Sequence, residues 1–237
     1  MSEALAAADA LFLTVSDDAI AEVCARIAKA GGFRPGQAVF HCSGALASEM
    51  LAPARRKGAA VASLHPLQSF PAPAEALRRM KGAWFAFEGD ARALPMARRI
   101  VKALGGNLFR LKAADKALYH AAACVLSNYL VALADAGGAM LSAAGLSRRD
   151  AQSAALPLVR GTLENLQRLG SPRALTGPIS RGDAETVGRH LAALSRLPPE
   201  FAELYRCLGQ YTICVALRKG SLSAAAAARL RRRLRST

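Results

Sequence analysis

Aromatic side chains are scarce in this chain, 5% of 237 residues with a single tryptophan. That scarcity excludes a base-stacking surface in which aromatics alternate with basic residues. It also leaves the core to Ala, Leu and Val, a helix-rich composition. Acidic residues are few as well: 17 Asp and Glu stand against 32 Lys and Arg, a formal charge of +15. Such a balance raises nucleic acid or an anionic membrane as a partner, but its distribution argues otherwise. Arg229, Arg231, Arg232, Arg233 and Arg235 crowd into the end of the chain, and the other basic residues are spread along amphipathic stretches such as 91–102. The excess therefore reads as a solvated face and a frayed basic tail, which speaks against a nucleic-acid partner.

Paired cysteine spacings are missing too. Cys24, Cys42, Cys124, Cys207 and Cys214 form neither a zinc ribbon nor a disulfide framework. Most read as small buried thiols in a reducing cytoplasm, and no metal site is expected. The opening MSEALAAADALFLTVSDD carries acidic residues where a leader would carry positive charge. Leu118 to Ala134 lacks formal charge, but its His120, Ser127 and Asn128 fit a buried core helix better than a membrane span.

What is present has two textures. Over residues 1–112, short β-prone runs (10–15, 37–42, 59–64, 83–87 and 107–111) alternate with helical stretches. Gly31-Gly32 and Gly105-Gly106 act as stops, Ser16 or Asp17 and Asp90 as caps, and His65-Pro66 as a turn. Strands separated by helices imply a parallel sheet with right-handed crossovers. From about residue 113 the strand texture ends. Helices are expected over 114–144, 148–169, 183–195 and 199–218, a helical domain of 113–220 followed by a basic tail of 221–237. The fold class is α/β plus all-α, a truncated Rossmann-type parallel sheet followed by a helical domain.

Ligands of an open parallel sheet collect at the carboxyl ends of its strands. Three such ends carry polar residues: Ser16-Asp17-Asp18, His41-Cys42-Ser43-Gly44 and His65-Pro66-Leu67-Gln68. The first also reads as a helix cap. His41 and His65 suit either a site role or a structural one, since histidine serves as acid, base or donor near neutrality. On the helix after Lys112, at about 100° per residue, Lys116, His120 and Ser127 share a polar stripe with Asn128 on its flank. Thr176 and Arg181 lie in a loop that enters a helix at Asp183, a place suited to an anionic group.

The series LTVSDDAI, HCSGALASEML, SLHPLQSF, YHAAACVLSNYLVAL, PLVRGTLENL and LTGPISRGD, spanning about Ala8 to Leu217, resembles a family of Rossmann-like proteins with a C-terminal helical domain of unknown function. It is similar, more distantly, to pyrroline-5-carboxylate reductase, prephenate dehydrogenase and the 3-hydroxyacid dehydrogenases, the last with 6-phosphogluconate-dehydrogenase-like C-terminal domains. The resemblance implies an NAD(P)-dependent oxidoreductase that moves hydride to or from a small carbonyl, imine or hydroxy substrate, with NADP or NAD as cofactor.

By their place at the strand ends and in the loop before Asp183, Ser16, Asp17, His41, Ser43 and Gly44 are expected at the cofactor and Gln68, Thr176 and Arg181 at the substrate. His120 or His65 would supply the proton, with Lys116 further back on the same stripe and Ser127 and Asn128 orienting the substrate. Two departures stand out. Gly31-Gly32, Gly105-Gly106 and Gly137-Gly138 do not make the Gly-x-Gly-x-x-Gly turn of the family's first strand, so that unit is expected to be missing. Cys124 also stands where the hydroxyacid dehydrogenases carry a catalytic lysine. A non-catalytic helical scaffold or ligand-binding regulator derived from the same fold is the alternative. In either case the Ala- and Gly-rich helix around Ala134–Ala139 suggests a homodimer through the C-terminal helices.

Overall fold

The computed structural model describes residues 5, 7–70 and 72–235. Residues 1–4 and 6 of the opening, residue 71, and residues 236–237 of the stretch read as a tail lie outside the described residues. The chain divides into two compact units, Met1–Leu130 and Val131–Thr237.

In the first unit β1 (Ala10–Leu13), β2 (Ala38–His41), β3 (Ala60–Leu67), β4 (Trp84–Gly89) and β5 (Asn107–Arg110) form one sheet in the order β1-β2-β3-β4-β5. β1, β2 and β3 run parallel, as do β4 and β5. The expectation of an all-parallel sheet fails at one pair, because β3 and β4 are antiparallel with Leu67 opposite Trp84. The connection between them holds one eight-residue helix (Pro73–Met80), and β4 returns along β3 in the opposite direction.

His65-Pro66 is also not a turn, since β3 continues to Leu67. The register of β2 with β3 stops at His41 opposite Ser63. Beyond that point this flank of β3 is an edge, where proline is tolerated.

Period-two alternation sends the strand residues to two covered faces. Phe40, Ala62, Phe85 and Phe87 pack on one face with Ala97 and Val101 of the helix Leu94–Ala103. Leu13, Val39 and Val61 pack on the other with Ile20, Cys24 and Ala28 of α1 (Ile20–Lys29). Each large apolar side chain buried in this way contributes about 1.5–3 kcal/mol. α1 ends where Gly31 turns to φ 72°. Asp90, expected as a cap, instead accepts the Val61 N–H at 3.0 Å and pairs with Arg55 at 3.3 Å.

After β5 comes α2 (Lys116–Leu126), which lies in the first unit, and then α3 (Asn128–Ala143). The single helix expected over 114–144 is thus broken at Ser127, which sits at φ −117° and ψ −69°. Serine and asparagine side chains compete for helix backbone groups, so this dipeptide is a weak point. The expectation of a buried core helix is overturned as well: Leu118 is 74%, Leu126 72% and Val131 70% exposed. An apolar stretch need not serve its own chain's core. By length and composition alone the run 113–143 is sufficient to cross a membrane.

The second unit is helical: α4 (Arg148–Leu169), α5 (Ser171–Ala174), α6 (Ala184–Leu194), α7 (Pro199–Lys219) and α8 (Ala224–Arg235). Ser147 and Asp183 cap α4 and α6 by accepting the Asp150 N–H at 3.1 Å and the Thr186 N–H at 2.9 Å. The residues expected as a frayed tail form α8 instead. Its Ala226, Ala227, Leu230 and Leu234 close a core with Val187 and Ile213. Apolar residues at this spacing make one helical face, and the arginines occupy the rest of the circumference.

Candidate functional site

The parallel strands β1, β2 and β3 bring their carboxyl ends to one edge, and α2 lies against it. Asp17 stands in the first loop, where its carboxylate accepts the Ser43 hydroxyl at 2.7 Å. It is therefore tied to the second strand end as well as to its own helix start. Ser16 makes no cap bond to the backbone. Its hydrogen bond to Asp18 holds that exposed carboxyl below the usual value.

His41 is fully buried, and both ring nitrogens are spent within its own loop. Nδ1 accepts the Ser43 N–H at 3.2 Å, and Nε2 lies 3.1 Å from the Ala47 carbonyl. That pairing requires the hydrogen on Nε2, and burial pushes the ring's pKa down, so it stays neutral. Its task is to shape the loop 42–47, with no nitrogen left over for a ligand. Ser43 completes the loop through its Oγ, which accepts the Ala45 and Leu46 N–H groups.

The other two histidines converge on Gly44. A Cβ at that position would stand 2.7 Å from His120 Nδ1 and 2.9 Å from His65 Nε2, so only glycine lets both rings approach. His65 Nδ1 lies 2.7 Å from the Tyr119 hydroxyl, with the two rings edge to face. Burial first, then the nearby charges of Lys116 and His120, lower the His65 pKa to about 4, and burial raises that of Tyr119 to about 12. The pair is neutral across physiological pH. His120 Nε2 lies 3.8 Å from Cys124 Sγ, while its buried Nδ1 has no hydrogen-bond partner. An orphaned buried ring nitrogen facing a glycine is a place where a ligand atom would be welcome.

Behind these rings Lys116 is buried. Its ammonium donates to the Ser43 carbonyl at 3.0 Å and to Ser63 Oγ at 2.6 Å, and Ser63 itself donates to the Ser43 carbonyl. Burial pushes the Lys116 pKa down. On the next strand Glu88, also buried, accepts the Ser48 N–H and hydroxyl at 2.6 and 2.9 Å.

The structure thus brings together Asp17, Ser43, Gly44, His65, Lys116 and His120, with His41 beneath them. Ser127 sits at the break between α2 and α3, Asn128 is exposed, and the Gln68 amide is engaged with Arg79 O and Ser69 N. Thr176 and Arg181 are exposed residues of the second unit. Sequence reasoning missed Tyr119 and Ser63. Both had a signal: Tyr119 follows Lys116 by three residues on one helix face, and Ser63 shares the period-two face of His65.

Comparison with known proteins sets this site in context. Residues 83–212 match the family described as a domain of unknown function, DUF2520. The chain belongs to the DUF2520 family. Residues 1–66 match a Rossmann-like domain. No curated protein matches the chain in sequence.

Among solved structures, protein TM1727 from Thermotoga maritima is 29% identical with a TM-score of 0.67, over 88% of this chain and 78% of that one. The pyrroline carboxylate reductase of Plasmodium falciparum, solved with NADP bound, is 14% identical with a TM-score of 0.56, over 97% and 80%. A reductive aminase from Aspergillus terreus, solved with NADPH and ethyl-5-oxohexanoate, is 18% identical with a TM-score of 0.54, over 96% and 73%. At those identities the last two share the fold. This DUF2520 protein therefore has a Rossmann-like fold, a mostly parallel sheet followed by helices.

Proposed function

We propose that this DUF2520 protein is an NAD(P)-dependent oxidoreductase acting on a small carbonyl, imine or hydroxy compound, and that it works as a homodimer. The convergence of the His65–Tyr119 pair and the unpartnered His120 Nδ1 on Gly44, at the carboxyl ends of parallel strands, carries the reading.

The residues present fit one end of the cofactor. Asp17 offers a carboxylate acceptor, oriented by the Ser43 hydroxyl, and Gly44 close backbone approach, which suit the ribose and carboxamide of a nicotinamide riboside. They do not make a pyrophosphate cradle, since the first helix of this edge opens on Asp17 and Asp18, whose charge repels phosphate. A bound nicotinamide would supply or take up hydride.

The protein's own part is to hold the reacting oxygen or nitrogen and its proton. When Tyr119 donates to His65 Nδ1, the ring hydrogen sits on Nε2 and is offered toward Gly44. A neutral imidazole is a donor matched to a carbonyl or imine, whereas a protonated one would be drawn to carboxylates. His120 Nδ1 supplies the second contact from the helix side. The apolar face of the run 113–143 supports the dimer, because a second copy would cover it.

Titration of the full chain with NADPH and NADH, followed through Trp84 fluorescence and by calorimetry, tests the reading. Micromolar binding of one nucleotide, with its oxidation by a small ketone or imine, is expected. Failure of both nucleotides to bind overturns it.

A further inference from the structure

Lys116, like His41, lies out of a ligand's reach. Its side chain is 1% exposed, and among the described residues no carboxylate lies within ion-pair distance of it. An ammonium buried among neutral oxygens is an expensive arrangement, and the geometry around it indicates what it does. The Lys116 ammonium, the Ser43 carbonyl and the Ser63 hydroxyl form a closed triangle at 3.0, 2.6 and 3.0 Å. Its corners belong to the first turn of α2, the loop after β2, and β3. Tyr119 and His120 follow Lys116 by three and four residues, the spacing that puts all three on one face of the helix. Fixing the first turn therefore fixes where the next turn places the Tyr119 hydroxyl and the His120 ring.

We infer that Lys116 is a positioning residue: it pins α2 to the ends of β2 and β3 so that Tyr119 and His120 meet His65 across Gly44, without touching the ligand itself. Its charge has a second effect on the same groups. Lys116 from α2 faces His65 with positive charge, Asp17 from the loop after β1 opposes it, the His120 ring of the same helix lies alongside, and Tyr119 is neutral. Lys116 itself is balanced by Glu88 from β4 and by Asp17, with the neutral His41 below. A fixed cation behind the histidines thus helps keep His65 unprotonated. The inference rests on the proposed function only in treating those rings as the working groups, and its test needs neither nucleotide nor substrate.

The chain has four histidines, few enough to assign their ring NMR signals by single replacements. Lys116→Met keeps the length and apolar stem while removing the charge and the donors. In this variant the His65 titration midpoint should rise from about 4 toward the ordinary histidine range. Amide hydrogen exchange at Gly44 to Leu46 should quicken by about tenfold or more. A His65 midpoint and exchange rates unchanged from the parent overturn the inference.

If Lys116→Met does not fold, Ser63→Ala keeps the cation and removes one corner of the triangle. It should speed exchange in the same loop while leaving the His65 midpoint low, and unchanged exchange again overturns the inference. Loss of nucleotide binding moves neither readout, so the two readings fail separately.

Discussion

Gly44→Ala is the sharpest perturbation of the site, because its whole cost lies in contacts. Gly44 is not among the glycines with positive φ, so alanine introduces no backbone strain there. The added Cβ would lie 2.7 Å from His120 Nδ1, 2.9 Å from His65 Nε2 and 3.0 Å from His65 Cε1. Comfortable contacts are about 3.5–4.0 Å, so both rings must retreat by several tenths of an ångström. Neither retreats freely, since His65 is held by Tyr119 at 2.7 Å and His120 rides on a helix pinned through Lys116. Overpacking of this kind costs about 1–3 kcal/mol, and for a domain of this size each kcal/mol lowers Tm by about 2–4 °C. Urea and thermal melts should show a loss in that range, together with shifted His65 and His120 ring signals. Gly161→Ala is the control. It lies inside α4 with open space around its Cβ, and should be neutral or gain up to about 1 kcal/mol. A Gly44→Ala protein with parental stability and unmoved histidine signals would refute the convergence.

Three further outcomes are expected. His65 takes up its proton at about pH 4 in the folded chain and at the ordinary histidine value of 6.5 when unfolded, so stability is fully present above that upper value and declines as pH falls between the two. The urea midpoint should drop from pH 7 to pH 5 by more in the parent than in His65→Gln, a contribution of up to about 2 kcal/mol, and equal drops would remove His65 from the account. Light scattering should find a dimer that Gly138→Leu weakens, since that position faces open space within the chain. A monodisperse monomer, or a chain that is soluble only in detergent micelles, would count against the dimer. Leu230→Ala should destabilise the second unit by about 2–5 kcal/mol because Leu230 is fully buried in its core, whereas a solvated tail would show no change.

What could be read from the sequence followed from period and punctuation. The strands β1, β2 and β5 and the helix Arg148–Leu169 lie where alternation and stops placed them, because their patterns are set by neighbours close along the chain. The direction of β4 was not legible. It depends on pairing with β3, which local pattern does not report, and the length of β3 was hidden by reading Pro66 as a break. The burial of α8 was obscured in the same way, since an arginine run masks the leucines between its members. In the site, each strand-end residue could be named singly, but Ser63 and Tyr119 acquire meaning only once β3 and α2 are adjacent. The exposed face of the run 113–143 is a related case, since composition reports that a side chain is apolar without reporting which chain covers it.

The site's charge pattern bears on the kind of ligand it would accept. One buried cation, Lys116, stands behind the rings, with the carboxylates of Asp17 and Glu88 around it, while His65 and Tyr119 in front are held neutral by burial. A carboxylate ligand approaching Gly44 would meet weak neutral donors and the opposing charge of Asp17. A carbonyl or imine would meet one donor from β3 and one ring nitrogen from α2, and neither contact requires a charge to be neutralised. The hydrogen bonds of the Lys116 triangle keep that cation from reaching forward. On the proposed function, the same three contacts that order α2 would also tune the front of the site toward neutral oxygen and nitrogen, so that positioning and selectivity would rest on one set of hydrogen bonds.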